Sequence, residues 1–411
     1  MKKLVLTALA TMTLLACNNT KNGQETRENG AIFYTEFETP FGMPPFDQIT
    51  FADFKPAFLR GMEEEAREID SIANNPEAPT FENTIVALDN SGRILERVSS
   101  VFYGLKSAET NDSIQALAEE LSPLMSEHRD NINFNDKLFA RIKTLHDDTT
   151  GMNLTTEQYR LLDNYYKGFV RSGSMLGEAE KNRLREINKE LSALTLKFGS
   201  NLLKETNDFK LVIENREDLA GLPEGVIAAA AETASKEGEE GKWIFTLQKP
   251  SWLPFLQYSE KRELREKLYK AMFNRGDNDN ENDNKKIIND IVNLRIEKAQ
   301  MLGYKTHADF VLEQNMAKTP ENVYKLLNDV WKYALPQAKK EAAELQAMID
   351  AEGGNFKLES WDWWYYTEKL RQQKYALNEE EIKPYFKMEN VREGVFEVAN
   401  RLYGLNFKKI Y

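Results

Sequence analysis

Apolar side chains recur at three- and four-residue spacing along most of this 411-residue chain, with charged residues between them. That spacing places the apolar residues on one face of an α-helix. The longest stretch covers residues 178–205, where the apolar stripe consists of Leu184, Ile187, Leu191, Leu194, Phe198 and Leu202. The pattern therefore predicts a mainly α-helical fold made of many amphipathic helices.

The same periodicity predicts further helices, several of them behind residues that favour a helix start. They cover residues 53–72, 84–106, 113–129, 136–146, 155–172, 261–274, 287–302, 308–315, 320–352, 365–374 and 393–402. Between residues 209 and 248 the pattern changes, and 209–213 and 243–247 are typical of two short strands, followed by a turn at 250–254. We therefore predict an amino-terminal helical domain at 37–250 and a second domain at 251–411.

The amino terminus has the pattern of an export signal. Lys2 and Lys3 precede an apolar run, residues 4–16, that is shorter than the about 20 residues needed to span a bilayer. The run ends in Leu14-Leu15-Ala16-Cys17, which fits the lipobox of bacterial lipoproteins. We expect residues 1–16 to be removed as a signal peptide and Cys17 to be lipidated. The alternative is an ordinary signal peptide that happens to contain a cysteine.

Cys17 is the only cysteine in the chain. A mature body without another thiol excludes disulfide frameworks, thiolate zinc sites and a cysteine nucleophile. The polar residues that follow predict a flexible tether, placed at 17–36. These features predict a protein anchored at a cell envelope, on the periplasmic side or the cell surface of a Gram-negative outer membrane.

The formal net charge is −12, and removal of Lys2 and Lys3 with the signal peptide would make it −14. An acidic body argues against nucleic acid as a partner and against broad electrostatic attachment to anionic lipid. The lipid anchor would therefore supply the contact with the membrane.

Local motifs identify no catalytic centre. Of the three histidines, His128, His146 and His307, none has a second histidine three or four residues away, the spacing that puts two metal ligands on one helix face. We interpret all three as structural. Neither a Gly-x-Ser-x-Gly nucleophile motif, nor a Walker loop, nor a dinucleotide fingerprint occurs in the sequence.

Residues 277–284 resemble a calcium loop, with Asp277, Asp279 and Glu281 at alternate positions. The sixth position is Asn282 rather than Gly and the twelfth is Ile288 rather than Glu. We therefore interpret the run as a solvated helix start.

The most unusual local feature is the aromatic run Trp361-Asp362-Trp363-Trp364-Tyr365-Tyr366. Aromatic rings beside an acid could bind sugars or peptide side chains. Alternatively, Trp361, Trp364 and Tyr365 could anchor the start of a helix in the core, which is the interpretation we favour.

Several ordered motifs resemble one known family, over roughly residues 37–410. The chain is similar to the amino-terminal half of the thimet oligopeptidase and neurolysin family of zinc peptidases, and within it to the peptidyl-dipeptidase branch. The motifs that carry this resemblance are at 79–85, 98–102, 110–112, 138–141, 169–171, 302–304, 317–320, 361–366, 383–386 and 400–405.

The resemblance implies a mainly helical fold around a deep channel, of which this chain would form one wall. It also implies a zinc metallopeptidase that hydrolyses short peptides and, in the peptidyl-dipeptidase branch, releases C-terminal dipeptides. Zinc in that family is held by a His-Glu-x-x-His helix and a later Glu, and the resemblance would make the protein a monomer.

No His-Glu-x-x-His occurs in these 411 residues. No zinc ligand or catalytic residue can therefore be assigned in this chain, and the only site residue is Cys17, for lipidation. We expect the chain to stop before the zinc motif, with residues 405–411 beginning a strand, and to be inactive by itself. The alternative function is a non-catalytic envelope lipoprotein that binds peptides or glycans.

Overall fold

A computed structural model describes residues 27–376 and 379–409. The predicted signal peptide and Cys17 lie outside the described residues. The chain packs as two compact units. One comprises residues up to Leu196 together with Gln300–Gly303, and the other comprises Lys197–Ala299 and the residues from Tyr304 onward. The domain boundary predicted at residue 250 stays a prediction.

The first unit is helical, as the periodicity predicts. Its elements are α1 (Phe51–Ala73), α2 (Ala87–Asp89), α3 (Arg93–Ala108), α4 (Asp112–Asn133), α5 (Asp136–Asp147), α6 (Thr156–Ser172) and the first part of α7 (Glu178–Asp208), with 3₁₀ turns at Ala31–Phe33 and Pro40–Gly42 and a π-helical turn at Phe81–Val86. Side-chain oxygens of Asn111, Asn135 and Thr155 accept hydrogen bonds from the first turns of α4, α5 and α6. These caps begin the helices within a residue or two of the predicted positions.

Two apolar clusters form the core of the first unit. One joins the start of α1 to α3 and α4, with Phe58 and Phe102 in edge-to-face contact at 5.4 Å between ring centroids. The other joins the end of α1 to α5 and α6, around Leu138, Ile142 and Leu162. The amphipathic stripes of these helices therefore meet in the unit's interior.

Part of the predicted tether belongs to this core. Phe33 is completely buried in the first cluster, and Arg97 donates a hydrogen bond of 2.6 Å to its carbonyl oxygen. Residues 30–34 therefore pack as part of the body, because a buried aromatic ring holds the chain against α1 and α3. The tether stays a prediction for residues 18–26, which lie outside the described residues.

Asp53 fixes this amino-terminal segment from the first turn of α1. Its buried carboxylate accepts hydrogen bonds from the Gly30 and Thr50 amides, both at 2.8 Å, from the Thr50 hydroxyl, and from Arg27 at 2.9 Å. Burial alone would raise the pKa of Asp53, but these bonds outweigh it and lower the pKa below its ordinary 3.8.

A lowered pKa makes the contribution of Asp53 to stability depend on pH. The stabilisation is present above the unfolded-state pKa and is lost as pH falls through the lower folded-state pKa. Asp53→Asn should therefore cost about 2 kcal/mol at pH 7, and the two proteins should converge as pH falls below 3.8. Urea unfolding across this pH range measures the difference. Exposed Asp47→Asn is the control and should show no such convergence, and a pH-independent cost at Asp53 would contradict the account.

Gly61 allows α1 and α3 to approach closely. A Cβ at this position would lie 2.8 Å from the Leu95 amide nitrogen and 2.9 Å from its Cα. Gly61→Ala should therefore destabilise the protein by about 1–3 kcal/mol, although alanine is the better helix former. Gly104→Ala in α3 is the matched control, because its Cβ would meet nothing within 4 Å, and it should stabilise by about 0.5–1 kcal/mol. Denaturant unfolding distinguishes these opposite signs, and a stabilising Gly61→Ala would refute the close contact.

The helix predicted at 84–106 is interrupted, so that prediction was wrong in its continuity. The π-helical turn and α2 end at Asp89, and α3 begins at Arg93. Gly92 separates them with a left-handed φ of 72°, and its amide donates to Glu68 at 2.8 Å. The chain breaks here because glycine adopts this conformation without steric cost.

The second unit contains one small sheet among helices. Its elements are the end of α7, β1 (Leu211–Ile213), α8 (Glu224–Lys236), β2 (Trp243–Phe245), α9 (Lys249–Tyr258), α10 (Arg262–Phe273), α11 (Lys285–Met301), α12 (His307–Leu312), α13 (Pro320–Ala351), α14 (Trp363–Tyr375), α15 (Glu379–Ile382) and α16 (Met388–Tyr403), with 3₁₀ turns at Arg216–Leu219, Ser360–Asp362 and Lys383–Tyr385. β1 and β2 pair antiparallel with Val212 opposite Ile244. The prediction of a mainly α fold with one small β element near 209–248 is confirmed.

Two local predictions in this unit were wrong. The turn predicted at 250–254 is part of helix α9. The helix tolerates Pro250 because N–H groups in the first turn have no intrahelical acceptor, so the lack of one in proline costs no hydrogen bond. Residues 405–409 of the strand predicted to begin at 405–411 are not in a strand, and residues 410 and 411 lie outside the described residues. Every helix among residues 27–376 and 379–409 is too short or too polar to cross a membrane.

Candidate functional site

Two arginines of α10 and one aspartate, together the Arg–Asp cluster, form the most deeply buried charged group of the second unit. Asp362 ends the 3₁₀ turn before α14 and is 0% exposed. Its carboxylate accepts hydrogen bonds from Arg265 at 2.8 Å and from Arg262 at 2.9 and 3.0 Å. The Glu359 amide adds a further bond at 3.1 Å. The carboxylate is thus matched by charged donors, which burial of a charge requires.

Arg265 also satisfies backbone groups around the cluster. Its side chain is 2% exposed and donates to the carbonyl oxygens of Ser259 at 2.8 Å and Trp361 at 3.3 Å. The guanidinium lies 4.2 Å from the ring centroid of Tyr365. Arg265 therefore joins the end of α9, the helix α10 and the start of α14 through one side chain.

Aromatic rings surround the cluster. The Arg262 guanidinium lies 4.4 Å from the Phe356 ring centroid and 5.5 Å from that of Trp361. Trp364 packs against Trp252 at 5.8 Å between centroids, and Tyr366 is buried in a small cluster with Leu345 and Ile349 of α13. Cation–π contacts of this kind add to the stability of a partly desolvated site.

This packing favours one of the two interpretations of the aromatic run. Tyr366 and Asp362 are buried, and Trp364 is half-buried against the apolar core of the second unit. Trp361 and Tyr365 are half-buried and contact Tyr269 and Arg265, as expected for rings that anchor a helix start.

The first unit contains a pocket of about 800 Å³ among α1, α3, α4 and α6. His128 and Glu65 form its most buried polar pair, with Nε2 and Oε2 2.7 Å apart. The Tyr165 hydroxyl donates to Asp89 at 2.8 Å, and the pKa of Tyr165 is raised by burial and by that carboxylate. The Ser99 Oγ is buried there without a hydrogen-bond partner. Acids and bases in this pocket pair with each other, so the arrangement presents no activated nucleophile.

The three histidines do not form a metal centre. His146 stacks on Tyr166 at 3.8 Å between centroids, with Asp163 3.4 Å away, and His128 is engaged by Glu65. His307 is the first residue of α12, and burial together with Arg295 and Lys298 lowers its pKa. Within the described residues, no three His, Cys, Asp or Glu side chains are grouped so that they could hold a metal ion. The donor set of this part of the chain therefore does not fit the zinc that the resemblance implies.

The calcium-like loop is organised by a lysine. Lys285 Nζ lies 2.6 Å from Asp277 and 2.8 Å from Asp279 and Asp283, and these hydrogen bonds raise the pKa of Lys285. The loop precedes α11, which begins at Lys285. An ammonium group thus occupies the position between the carboxylates where a cation would bind.

Sequence reasoning identified Asp362 only as an acid between tryptophans and missed Arg262 and Arg265. Their partner lies 97–100 residues away along the chain, and arginine is common on helices. A signal was present in their three-residue spacing, which places both guanidinium groups on one face of α10. Cys17, the predicted lipidation site, lies outside the described residues.

Residues 255–411, which contain this cluster, match the model of the family described as peptidase family M3. Dipeptidyl carboxypeptidase of Escherichia coli strain K12 is 37% identical over 376 residues, which cover 91% of this chain and 55% of the relative. The chain belongs to peptidase family M3. The predicted kinship with the thimet oligopeptidase and neurolysin family is confirmed.

Other M3 relatives align with a similar part of the chain. Dipeptidyl carboxypeptidase of Salmonella typhimurium is 35% identical over 369 residues, covering 90% of this chain and 54% of the relative. Oligopeptidase A of Escherichia coli is 32% identical over 375 residues, covering 90% of this chain and 55% of the relative. The chain spans about half the length of the curated M3 relatives it matches.

Proposed function

We propose that the chain belongs to a lipid-anchored zinc metallopeptidase that hydrolyses short peptides and releases C-terminal dipeptides. The zinc-binding part of this enzyme would lie outside these 411 residues. The alignment with two dipeptidyl carboxypeptidases over 90% or more of the chain carries this proposal. Oligopeptidase A is less similar, at 32% identity, so the comparison favours the activity named for the dipeptidyl carboxypeptidases.

The exposed apolar stripe on α16 supports a larger protein. Val391, Val395, Val398 and Leu402 follow helical spacing and are all exposed in the described structure. An amphipathic helix is ordinarily stabilised by burying that stripe. Further polypeptide packed on α16 would supply the missing contact.

The amino-terminal half of α13 exposes a second apolar surface. Tyr324, Leu327 and Trp331 lie on one face at three- and four-residue spacing, and Leu326, Val330 and Tyr333 lie beside them. Exposed apolar patches of this extent mark interaction surfaces in soluble proteins. Both patches lie in the region matched by the M3 model, as expected if the remaining part of the peptidase packs there.

The lipobox ending at Cys17 supports attachment to a cell envelope. Acyl chains each contribute about 0.8 kcal/mol per buried methylene, and more than one chain gives stable anchoring. In this position the enzyme would degrade peptides on the periplasmic side or cell surface of a Gram-negative outer membrane. The competing proposal of a peptide- or glycan-binding lipoprotein is less well supported, because Trp364 and Tyr365 of the aromatic run pack against the protein's own residues.

The test is to sequence the reading frame beyond codon 411 and express its complete product. We expect a His-Glu-x-x-His motif and release of C-terminal dipeptides from amino-blocked short peptides, detected by mass spectrometry. A zinc chelator should abolish release and added zinc should restore it. A stop codon directly after residue 411, or no hydrolysis by the complete zinc-loaded product, would refute the peptidase. Cys17→Ser should be active but unlipidated, so the two parts of the proposal fail separately.

A further inference from the structure

The point where the predicted tether joins the body is fixed beside an exposed loop. Arg27 donates a hydrogen bond of 3.1 Å to the Gln48 carbonyl oxygen and two of 2.9 Å to Asp53. The Gly30 amide, 2.8 Å from Asp53, holds the next turn of chain against the same carboxylate. The segment that leads back to Cys17 therefore begins directly beside residues 44–53.

The loop at 39–51, which we call the aromatic loop, exposes large apolar side chains next to this junction. Phe41 is 86% exposed and Met43 is 56% exposed. Phe46 and Phe51 are also exposed. Single exposed apolar residues are ordinary on protein surfaces, but several within a short segment mark a contact surface.

The aromatic loop is rigid rather than loosely extended. Pro40, Pro44 and Pro45 restrict its backbone, and the Thr39 hydroxyl donates to the Met43 carbonyl oxygen. Phe41 has a φ of 61°, a left-handed conformation that is strained for a bulky side chain. A fixed loop that holds a phenylalanine outward in a strained conformation is typical of a segment that contacts a partner.

Length restricts what that partner can be. Only residues 18–26 separate Cys17 from Arg27, and nine residues span at most about 33 Å when fully extended. If Cys17 carries lipid, the junction and the aromatic loop beside it stay close to the bilayer surface. The bilayer interface is then an apolar phase that Phe41 and Met43 can reach.

We propose that the aromatic loop inserts Phe41, Met43 and Phe46 into the membrane interface and so fixes the orientation of the body on the bilayer. This inference rests on the proposed lipid attachment at Cys17. Asp47 is the only charged residue within the aromatic loop, Glu36 and Glu38 precede it, and the neighbouring Arg27 is paired with Asp53. The loop therefore favours zwitterionic lipid over anionic lipid, which repels the carboxylates.

The lipidated chain allows a direct test, because acylation consumes the thiol of Cys17 and leaves an introduced cysteine as the only reactive one. Met43→Cys and Met175→Cys each receive an environment-sensitive fluorophore. Met175 is the matched control, because it is a methionine of the same unit that is 63% exposed. The proteins are reconstituted into vesicles of phosphatidylcholine and phosphatidylethanolamine that contain nitroxide-labelled lipid.

We expect a blue shift and several-fold stronger nitroxide quenching at position 43 than at position 175. Phe41→Ser should weaken the quenching at position 43 without changing unfolding, and phosphatidylglycerol in the vesicles should weaken it further. Equal quenching at both positions, in a chain that mass spectrometry shows to be acylated, would overturn this inference and leave the lipid anchor intact. The same conclusion holds if the quenching is equal because other polypeptide covers the loop. A chain without acylation at Cys17 would overturn the anchor and this inference together, while leaving the peptidase proposal intact.

Discussion

Asp362→Ala should lower the free energy of unfolding by about 3–5 kcal/mol, because it leaves the guanidinium of Arg265 buried without its charge partner. Arg265 is 2% exposed, so little solvent contacts the guanidinium to replace the carboxylate. The start of α14 should loosen with it, since Asp362 also accepts the Glu359 amide that closes the 3₁₀ turn. Denaturant unfolding, followed by circular dichroism and tryptophan fluorescence, measures both effects.

Asp290→Ala is the control for this prediction. Asp290 pairs with Lys286 on the surface of α11, at 2.6 Å, in an ion pair that is well solvated. Its loss should cost less than about 1 kcal/mol. If Asp362→Ala costs no more than Asp290→Ala, the Arg–Asp cluster does not hold the second unit together.

A double-mutant cycle separates loss of charge from loss of packing. Arg265→Met fills a similar volume without charge, so combining it with Asp362→Ala removes both partners of the buried pair. The double variant should be less destabilised than the sum of the two single variants, because no fully buried charge is left unpaired. Arg262 also loses its partner, but its side chain is 31% exposed and can be solvated. Simple additivity would mean that the two side chains act independently despite their 2.8 Å contact.

Periodicity predicted the helices of this fold well, because each carries its own apolar stripe and its own cap. The stripe of Leu184 and Ile187 is buried as expected, and Asn111 and Thr155 begin helices where their side chains can accept amide hydrogen bonds. Local sequence patterns predicted the wrong secondary structure where the backbone conformation of a single residue decides it. The left-handed conformation of Gly92 interrupts the helix predicted at 84–106. Pro250, predicted to lie in a loop turn, is instead in the first turn of helix α9.

The candidate site could be predicted only in part, because its contacts join residues far apart in sequence. Asp362 stood out within its aromatic run, but nothing local to Arg262 or Arg265 indicated a partner about one hundred residues later. The resemblance correctly placed the chain in its family, since ordered motifs persist over long distances. It could not place a zinc centre in residues that carry no suitable ligands.

The second large effect concerns metal and activity. The described histidines are each engaged by other side chains or remote from a second ligand, and no His-Glu-x-x-His occurs in the sequence. The 411-residue chain by itself should therefore bind no stoichiometric zinc and hydrolyse no peptide, whereas the longer enzyme proposed above should do both. This difference is expected to be all or none, because two histidines and a carboxylate must act together to hold a catalytic zinc.

Zinc content of the purified 411-residue chain tests the central claim most directly. The protein is incubated with zinc, dialysed extensively and analysed by inductively coupled plasma mass spectrometry, with its fold checked by circular dichroism. We predict zinc far below one ion per chain. One tightly bound zinc per folded chain would contradict the account, because it would place a metal centre within these residues.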